Sequence, residues 1–290
     1  MQKKQKSWPM ALFSKIKKKV TSKKEKQIAV INLQGVIGNV GKFDKGINID
    51  NVNPLLEKSF KEKKFQAVAI NVNSPGGSPV QSELIYQRIR ELSLEKKIPV
   101  FTFAQDVAAS GGYFILCAGD EIYAHDSSII GSIGVISASF GFEKAIKKIG
   151  VERRIYTEGK NKAVMDPFSP EDPDNIKILK AVQKDIFANF KNIVKNSRGK
   201  KLKKTDEALF NGAFWSGTES KKIGLIDEIG NMREIMKKNF GKKIKFIEIK
   251  TKKKGWVKDL LASKFDDFSE NIIDNIFNKI EERSSWNRFK

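Results

Sequence analysis

Ile98-Pro-Val-Phe-Thr-Phe-Ala-Gln-Asp106-Val-Ala-Ala-Ser110-Gly-Gly112-Tyr-Phe-Ile-Leu-Cys-Ala118 joins two apolar runs through a turn of small residues. The first run reads as a buried strand, the second as a buried helix or second core segment. A serine among small residues at a strand-to-helix turn is how a fold presents an exposed hydroxyl. The glycines let the backbone bend sharply and let another chain come close. The same residues also suit a plain glycine-rich turn whose serine caps a helix.

The preceding chain repeats the pattern. Gln27 to Leu33 reads as a first strand, buried on both faces, and Gly35 to Asn53 as a loop. A helix begins at Asn53-Pro54, and Phe65 to Val72 is a second buried strand. It runs into Asn73-Ser-Pro-Gly-Gly-Ser78, and Val80 to Leu94 reads as a helix. Apolar strands alternating with helices predict a largely parallel α/β sheet, with ligands beyond the carboxyl ends of the strands. Both glycine turns fall there. One offers the Ser110 hydroxyl; the other, with Gly76 and Gly77, offers free backbone N–H groups. That pairing fits a nucleophile beside an oxyanion hole. A phosphate cradle fits less well, because no Gly-Lys-Ser/Thr follows.

Downstream, Glu121–Ala124, Gly134–Ala138 and Glu152–Tyr156 read as short strands, with Phe142 to Ile149 a short helix. A capped helix start is expected at Ser169-Pro-Glu-Asp172. The helix from about Asp174 to Ser197 is amphipathic, with Ile176, Leu179, Val182, Ile186, Phe190 and Ile193 on one face. Trp215 to Gly230 reads as a turn, a short helix and a tight exit, and the last strand is about Ile244 to Ile249. Three parts are therefore expected: a basic tail over 1–26, a catalytic domain over 27–250 and an amphipathic helix over 251–290. The apolar positions of that helix favour packing on the core or on another subunit.

The 290 residues carry a net charge of +21, and the first 26 hold ten lysines against one glutamate. Such charge attracts anionic surfaces in general. No nucleic-acid motif accompanies it, so no specific nucleic acid is expected as a partner. The tail reads either as a helix lying on an anionic membrane, with Trp8, Leu12, Phe13, Ile16 and Val20 on one face, or as a disordered basic arm. No run of 18 apolar residues is present, so no transmembrane segment is expected. Cys117 is the only cysteine and His125 the only histidine. A disulfide within the chain is excluded and a zinc site is not expected; no metal or cofactor is expected at all. Cys117, inside an apolar run, reads as a small core residue.

A serine needs a base to become a nucleophile. His125, with Asp126 beside it, permits a Ser–His–Asp set on paper, although neighbours on a turn usually point apart. A lysine serves instead once it is neutral, which requires its pKa to fall by about three from an ordinary 10.4, about 4 kcal/mol. Such a lysine needs a partly apolar setting of small residues. Lys162, before Ala163-Val-Met165, fits that description best.

Five blocks in order then carry a resemblance: Asn73-Ser-Pro-Gly-Gly77, Ala108-Ala-Ser-Gly-Gly-Tyr113, Gly131-Ser-Ile-Gly-Val135, Gly159-Lys-Asn-Lys162 with Met165 and Pro167, and Gly224-Leu-Ile-Asp-Glu228. From about Gln27 to Gly230 the chain resembles the signal peptide peptidase A family, including its short SohB relatives. The resemblance implies a ClpP/crotonase-like spiral of strand-strand-helix units with a largely parallel sheet. It implies Ser110 as nucleophile, Lys162 as general base, Ser132 as the residue that orients the lysine, and Gly76 and Gly77 at the oxyanion hole. It further implies a serine endopeptidase acting through an acyl-enzyme on hydrophobic peptides, such as remnant signal peptides. Serine and lysine of short members meet across a subunit boundary, which implies a homo-oligomer. The family's usual N-terminal anchor is replaced here by the basic tail, so the cytoplasm or the cytoplasmic face of the membrane is the expected location. Two other functions fit parts of the chain: a crotonase-like acyl-CoA enzyme and a catalytically weak membrane-associated scaffold.

Overall fold

The computed structural model describes residues 25–38, 46–61 and 64–250, together with Trp286 and Phe289. The expected tail over 1–26 and the helix over 251–290 thus lie almost wholly outside the described residues. At the centre are three parallel strands: β1 (Lys26–Gln34), β2 (Phe65–Ser74) and β3 (Val100–Ala109). Helix α1 (Ile49–Lys61) connects β1 to β2, and α2 (Pro79–Lys96) connects β2 to β3. Nine of the ten residues of β2 are buried, as expected for a strand covered on both faces.

Strand β3 is long enough to serve two neighbours on one side. Its first half pairs with β4 (Glu121–Ala124) and its second half with β5 (Ile129–Gly131), both parallel. The short helix α3 (Gly111–Leu116) lies between β3 and β4. After α4 (Glu143–Lys148), α5 (Pro173–Arg198) and α6 (Asp206–Leu209), β6 (Phe214–Ser216) joins β5 antiparallel. Helix α7 (Gly217–Ile223) leads to β7 (Glu228–Ile229) beside β4, and α8 (Met232–Phe240) leads to β8 (Ile244–Glu248) beside β1. The result is an eight-stranded, mostly parallel sheet in order β6-β5-β3-β2-β1-β8, with β4 and β7 branching from β3. The expected ClpP-like α/β class is what the chain adopts.

Residues alternating along β1 divide the core. Ala29, Ile31 and Leu33 face the layer of α1, α2 and α3, whereas Ile28 and Val30 pack with Phe101, Phe103, Tyr123 and Met236 of α8. A third cluster joins Val107 and Ala109, at the end of β3, to Phe289.

Several boundaries differ from the sequence reading. Helix α1 starts at Ile49, four residues before Asn53, because the Asn48 side chain accepts a bond from the Asn51 amide at 3.0 Å. Pro54 consequently sits inside the helix. Helix α5, by contrast, starts where expected, with Asp172 of the Ser169–Asp172 block as its cap and Pro173 in its first turn. The strand expected at Gly134–Ala138 lies earlier, at Ile129–Gly131. Glu152–Tyr156 forms no strand: among the described residues no sheet edge runs beside it, and a strand exists only by pairing. The apolar stripe of α5 is buried only towards its C-terminal end, at Phe190 and Val194. No residue from Gly134 to Asn189 is buried; the middle of this stretch, which carries Lys162, is an arm standing off the core, whereas Phe187 near its end packs against the core.

Candidate active site

Ser110 follows the last residue of β3 with φ 51° and ψ −119°, a conformation that side chains rarely adopt. Its amide is held by the Gly131 carbonyl at 2.8 Å, and its carbonyl accepts from the Phe114 amide at 3.0 Å. It occupies the N-cap position of α3, yet its hydroxyl makes no capping bond. The plain-cap reading therefore fails, because the oxygen a cap would use makes no bond to the first turn.

The second glycine turn lies against this serine. Gly76 has φ +110°, and a Cβ there would come within 2.8 Å of the Ser110 Cβ. Gly77, at φ +141°, would place a Cβ 2.0 Å from the Ile37 carbonyl oxygen. Only glycine allows both approaches. The Gly76 amide donates to Ser74 Oγ at 3.2 Å, so it is already engaged. The bridge from Ile37 to this turn uses the Gly76 carbonyl and the Ser78 amide, which leaves the Gly77 amide out of it. Gly111 opens α3, and its amide nitrogen would lie 3.0 Å from a Cβ on Gly76. The amides of Gly77 and Gly111 are therefore the candidate donors here, and both residues line the same cleft as Ser110. The Gly111 donor was missed in the sequence; the signal for it was the helix start immediately after Ser110.

Asn73 fixes the register of the two turns. Its side chain donates to Asp106 Oδ2 at 2.8 Å and accepts from the Val107 amide at 3.1 Å. Ser110 opens onto a cleft of about 290 Å³ walled by Pro79, Val80, Phe114, Ile136, Ile186 and Phe190. Glu83 and Asn189, bonded to each other at 2.8 Å, also line it.

The other expected residues distribute unevenly. Ser132 follows Gly131, the residue bonded to Ser110; it is buried at φ 52°, and its amide donates to the Ala213 carbonyl at 2.7 Å. The chain does not bring Lys162 into the cleft of Ser110. That residue is exposed on a turn of the arm, its amide bonded to the Gly159 carbonyl at 3.1 Å, and it does not line the cleft. His125 is also exposed and absent from the cleft wall. It follows β4, whose Tyr123 pairs with Phe103, well short of the end of β3. Asp126 accepts a bond from Thr218 Oγ1 at 2.9 Å. Cys117 is buried, and burial pushes its thiol up to about 12, so it is an inert core residue. Among the described residues no group of His, Cys, Asp and Glu could hold a metal ion. No helix among them is long and apolar enough to cross a membrane.

The block at Gly224–Glu228 proves structural. Asp227 accepts from Arg198 Nη1 and Nη2 at 2.8 and 3.0 Å, from Lys201 Nζ at 2.6 Å and from the Ile122 amide at 2.8 Å. Arg198 Nε also donates to the Gly224 carbonyl at 2.9 Å. This clamp ties the end of α5 to β4.

The sequence profile of Peptidase family S49 matches residues 93–244, which include Ser110, Ser132 and Lys162. A Brucella abortus protein named Na(+)/H(+) antiporter NhaA is 51% identical over 222 residues, 76% of this chain and 30% of that protein. Protease 4 of Haemophilus influenzae is 35% identical over 73% of this chain and 34% of its own length. The chloroplastic serine protease SPPA of Arabidopsis thaliana is 32% identical over 71% of this chain and 31% of its own. The chain thus spans only about a third of the length of these relatives.

Proposed function

Because the chain belongs to peptidase family S49, we propose that it hydrolyses peptide bonds with Ser110 as nucleophile and Lys162 as general base. The observation that carries this reading is the strained, uncapped Ser110 against the Gly76–Gly77 turn at the mouth of an apolar cleft.

Ser110 Oγ attacks the scissile carbonyl carbon while its proton passes to the neutral Lys162 amine. The carbonyl oxygen becomes an oxyanion, held by the Gly77 and Gly111 amides. Gly76 contributes by letting its backbone lie against Ser110. Collapse of the intermediate breaks the C–N bond, and the Lys162 ammonium returns the proton to the leaving amine. Water then attacks the serine ester and gives a proton to Lys162, which releases the acid and restores Ser110. Ser132 orients the lysine. Hydrophobic peptides, such as remnant signal peptides or fragments of membrane proteins, suit the apolar cleft walls.

The missing piece is the route by which Lys162 reaches Ser110. We assign it to a second copy of the chain. Supporting this, the arm that carries Lys162 exposes Ile136, Phe140, Ile149, Val151 and Tyr156, each more than half accessible. Large apolar side chains exposed together in one segment point to a contact surface. Contact between arms would bury Lys162, and burial favours the neutral amine. Peripheral contact with an anionic membrane through the basic tail remains part of the proposal.

The test uses purified chain, a fluorogenic hydrophobic peptide and a fluorophosphonate, which phosphonylates reactive serines with loss of fluoride. Labelling at Ser110 and loss of turnover by at least about a thousandfold in both Ser110→Ala and Lys162→Ala are expected. Turnover unchanged in both variants overturns the dyad. A crotonase-like enzyme or a scaffold would leave Ser110 unlabelled.

A further inference from the structure

Glu83 stands out on the cleft wall. The chain has 55 lysines and arginines against 34 acids, and many of its carboxylates are paired with a cation. Glu83 is not. Its two oxygens accept from neutral amides only, Gln87 Nε2 at 3.0 Å and Asn189 Nδ2 at 2.8 Å. Among the described residues, no cation pairs with it. These bonds fix the carboxylate between α2 and α5, and the same cleft holds Ser110. The preceding residue, Ser82, packs so closely on Gly111 that a Cβ there would meet its Oγ at 2.4 Å. Glu83 is therefore the next position out along a helix that touches the nucleophile turn.

The cleft that holds both has apolar walls: Val80, Phe114, Ile186 and Phe190. A site with apolar sides and an oriented, uncompensated carboxylate matches one kind of side chain, a long aliphatic stem ending in a cation. Low-polarity walls also raise the value of the charge pair over one in open water. We propose that Glu83 makes the cleft selective for a lysine or arginine on the acyl side of the bond that is cut. The inference rests on the peptidase reading and narrows its substrates from hydrophobic peptides to hydrophobic peptides with a basic residue at the cleavage point.

Two fluorogenic peptides that differ only at that residue, lysine against its uncharged analogue norleucine, test it on the full chain. The quantity read is the ratio of their kcat/KM values. The wild type is expected to favour lysine, and Glu83→Gln to lower the ratio about tenfold, whatever the variant does to the total rate. Raising salt in the wild type is expected to lower the same ratio, which tests the pair without any variant. A ratio insensitive to both Glu83→Gln and salt overturns the role of Glu83 while leaving the peptidase intact. Loss of hydrolysis for both peptides, with no fluorophosphonate labelling of Ser110, overturns the peptidase reading and this inference with it.

Discussion

Ser110 sits at a backbone geometry suited to glycine, and the fold supports it from three sides: the Gly131 carbonyl, the Phe114 amide and the close face of Gly76. Such a conformation stores about 1–3 kcal/mol. Ser110→Ala removes the hydroxyl but keeps the strain, whereas Ser110→Gly removes both. Both variants are expected to be inactive, with Ser110→Gly more stable by about 1 kcal/mol in denaturant titrations. Equal stabilities would mean that the turn is unstrained. Gly76→Ala tests the opposite face. Its Cβ would meet Ser110 2.8 Å away at φ +110°, so a loss of at least about a hundredfold in kcat is expected, with Ser110 labelling slowed in parallel. Lys162→Arg separates a proton acceptor from a mere positive charge. Arginine keeps the charge but does not give up its proton near neutral pH, so hydrolysis is expected to stay as low as in Lys162→Ala. Recovery of activity by arginine would assign Lys162 an electrostatic role.

Among the elements, the clamp at Asp227 bears on stability. Burial alone would raise its carboxyl, but the bonds from Arg198 and Lys201 outweigh it and hold the group at about 2, below the ordinary 3.8. A carboxyl depressed in the folded state stabilises above its unfolded pKa and loses that contribution as pH falls through the folded one. The pair thus supplies about 2 kcal/mol above pH ~4, lost progressively by pH ~2. Asp227→Asn leaves Arg198, buried at the end of α5, without its counter-charge. A cost of about 3–5 kcal/mol is expected near neutral pH, shrinking as the pH drops from 4 towards 2. Chemical denaturation of both proteins across that range checks it. This clamp was read in the sequence only as part of a family block, because an ion pair between residues 198 and 227 leaves no local pattern. The central strands were legible for the opposite reason: burial on both faces writes itself as an unbroken apolar run, as in Phe65–Val72. Glu152–Tyr156 has strand-like residues without a neighbour to pair with, and sequence does not reveal neighbours. The same limit applies to the site. Ser110 and the Gly76–Gly77 turn were legible because their geometry is local, whereas the company of Lys162 depends on where an arm of the chain is placed.

On the scale of the whole molecule, the exposed arm that carries Lys162 and the net charge of +21 oppose each other. Apolar side chains such as Ile149 and Tyr156, 75% and 90% accessible, favour contact between copies, and about 800 Å² per partner suffices for a specific interface. Like charge on every copy resists it. If the contact is apolar, salt screens the repulsion and leaves the attraction intact, so assembly and activity per chain should rise together with ionic strength. Sedimentation of the 32.8 kDa chain at increasing salt, alongside peptide turnover, reads both quantities. Ile149→Glu with Tyr156→Glu adds charge where neither side chain is buried in the protomer. That variant is expected to keep its thermal stability, to sediment as a monomer and to lose turnover at least about a hundredfold through the loss of Lys162 from Ser110. Assembly that weakens with salt would assign the contact to ion pairs. A wild-type monomer fully active at high dilution would require Lys162 to reach Ser110 by folding of the arm within one chain.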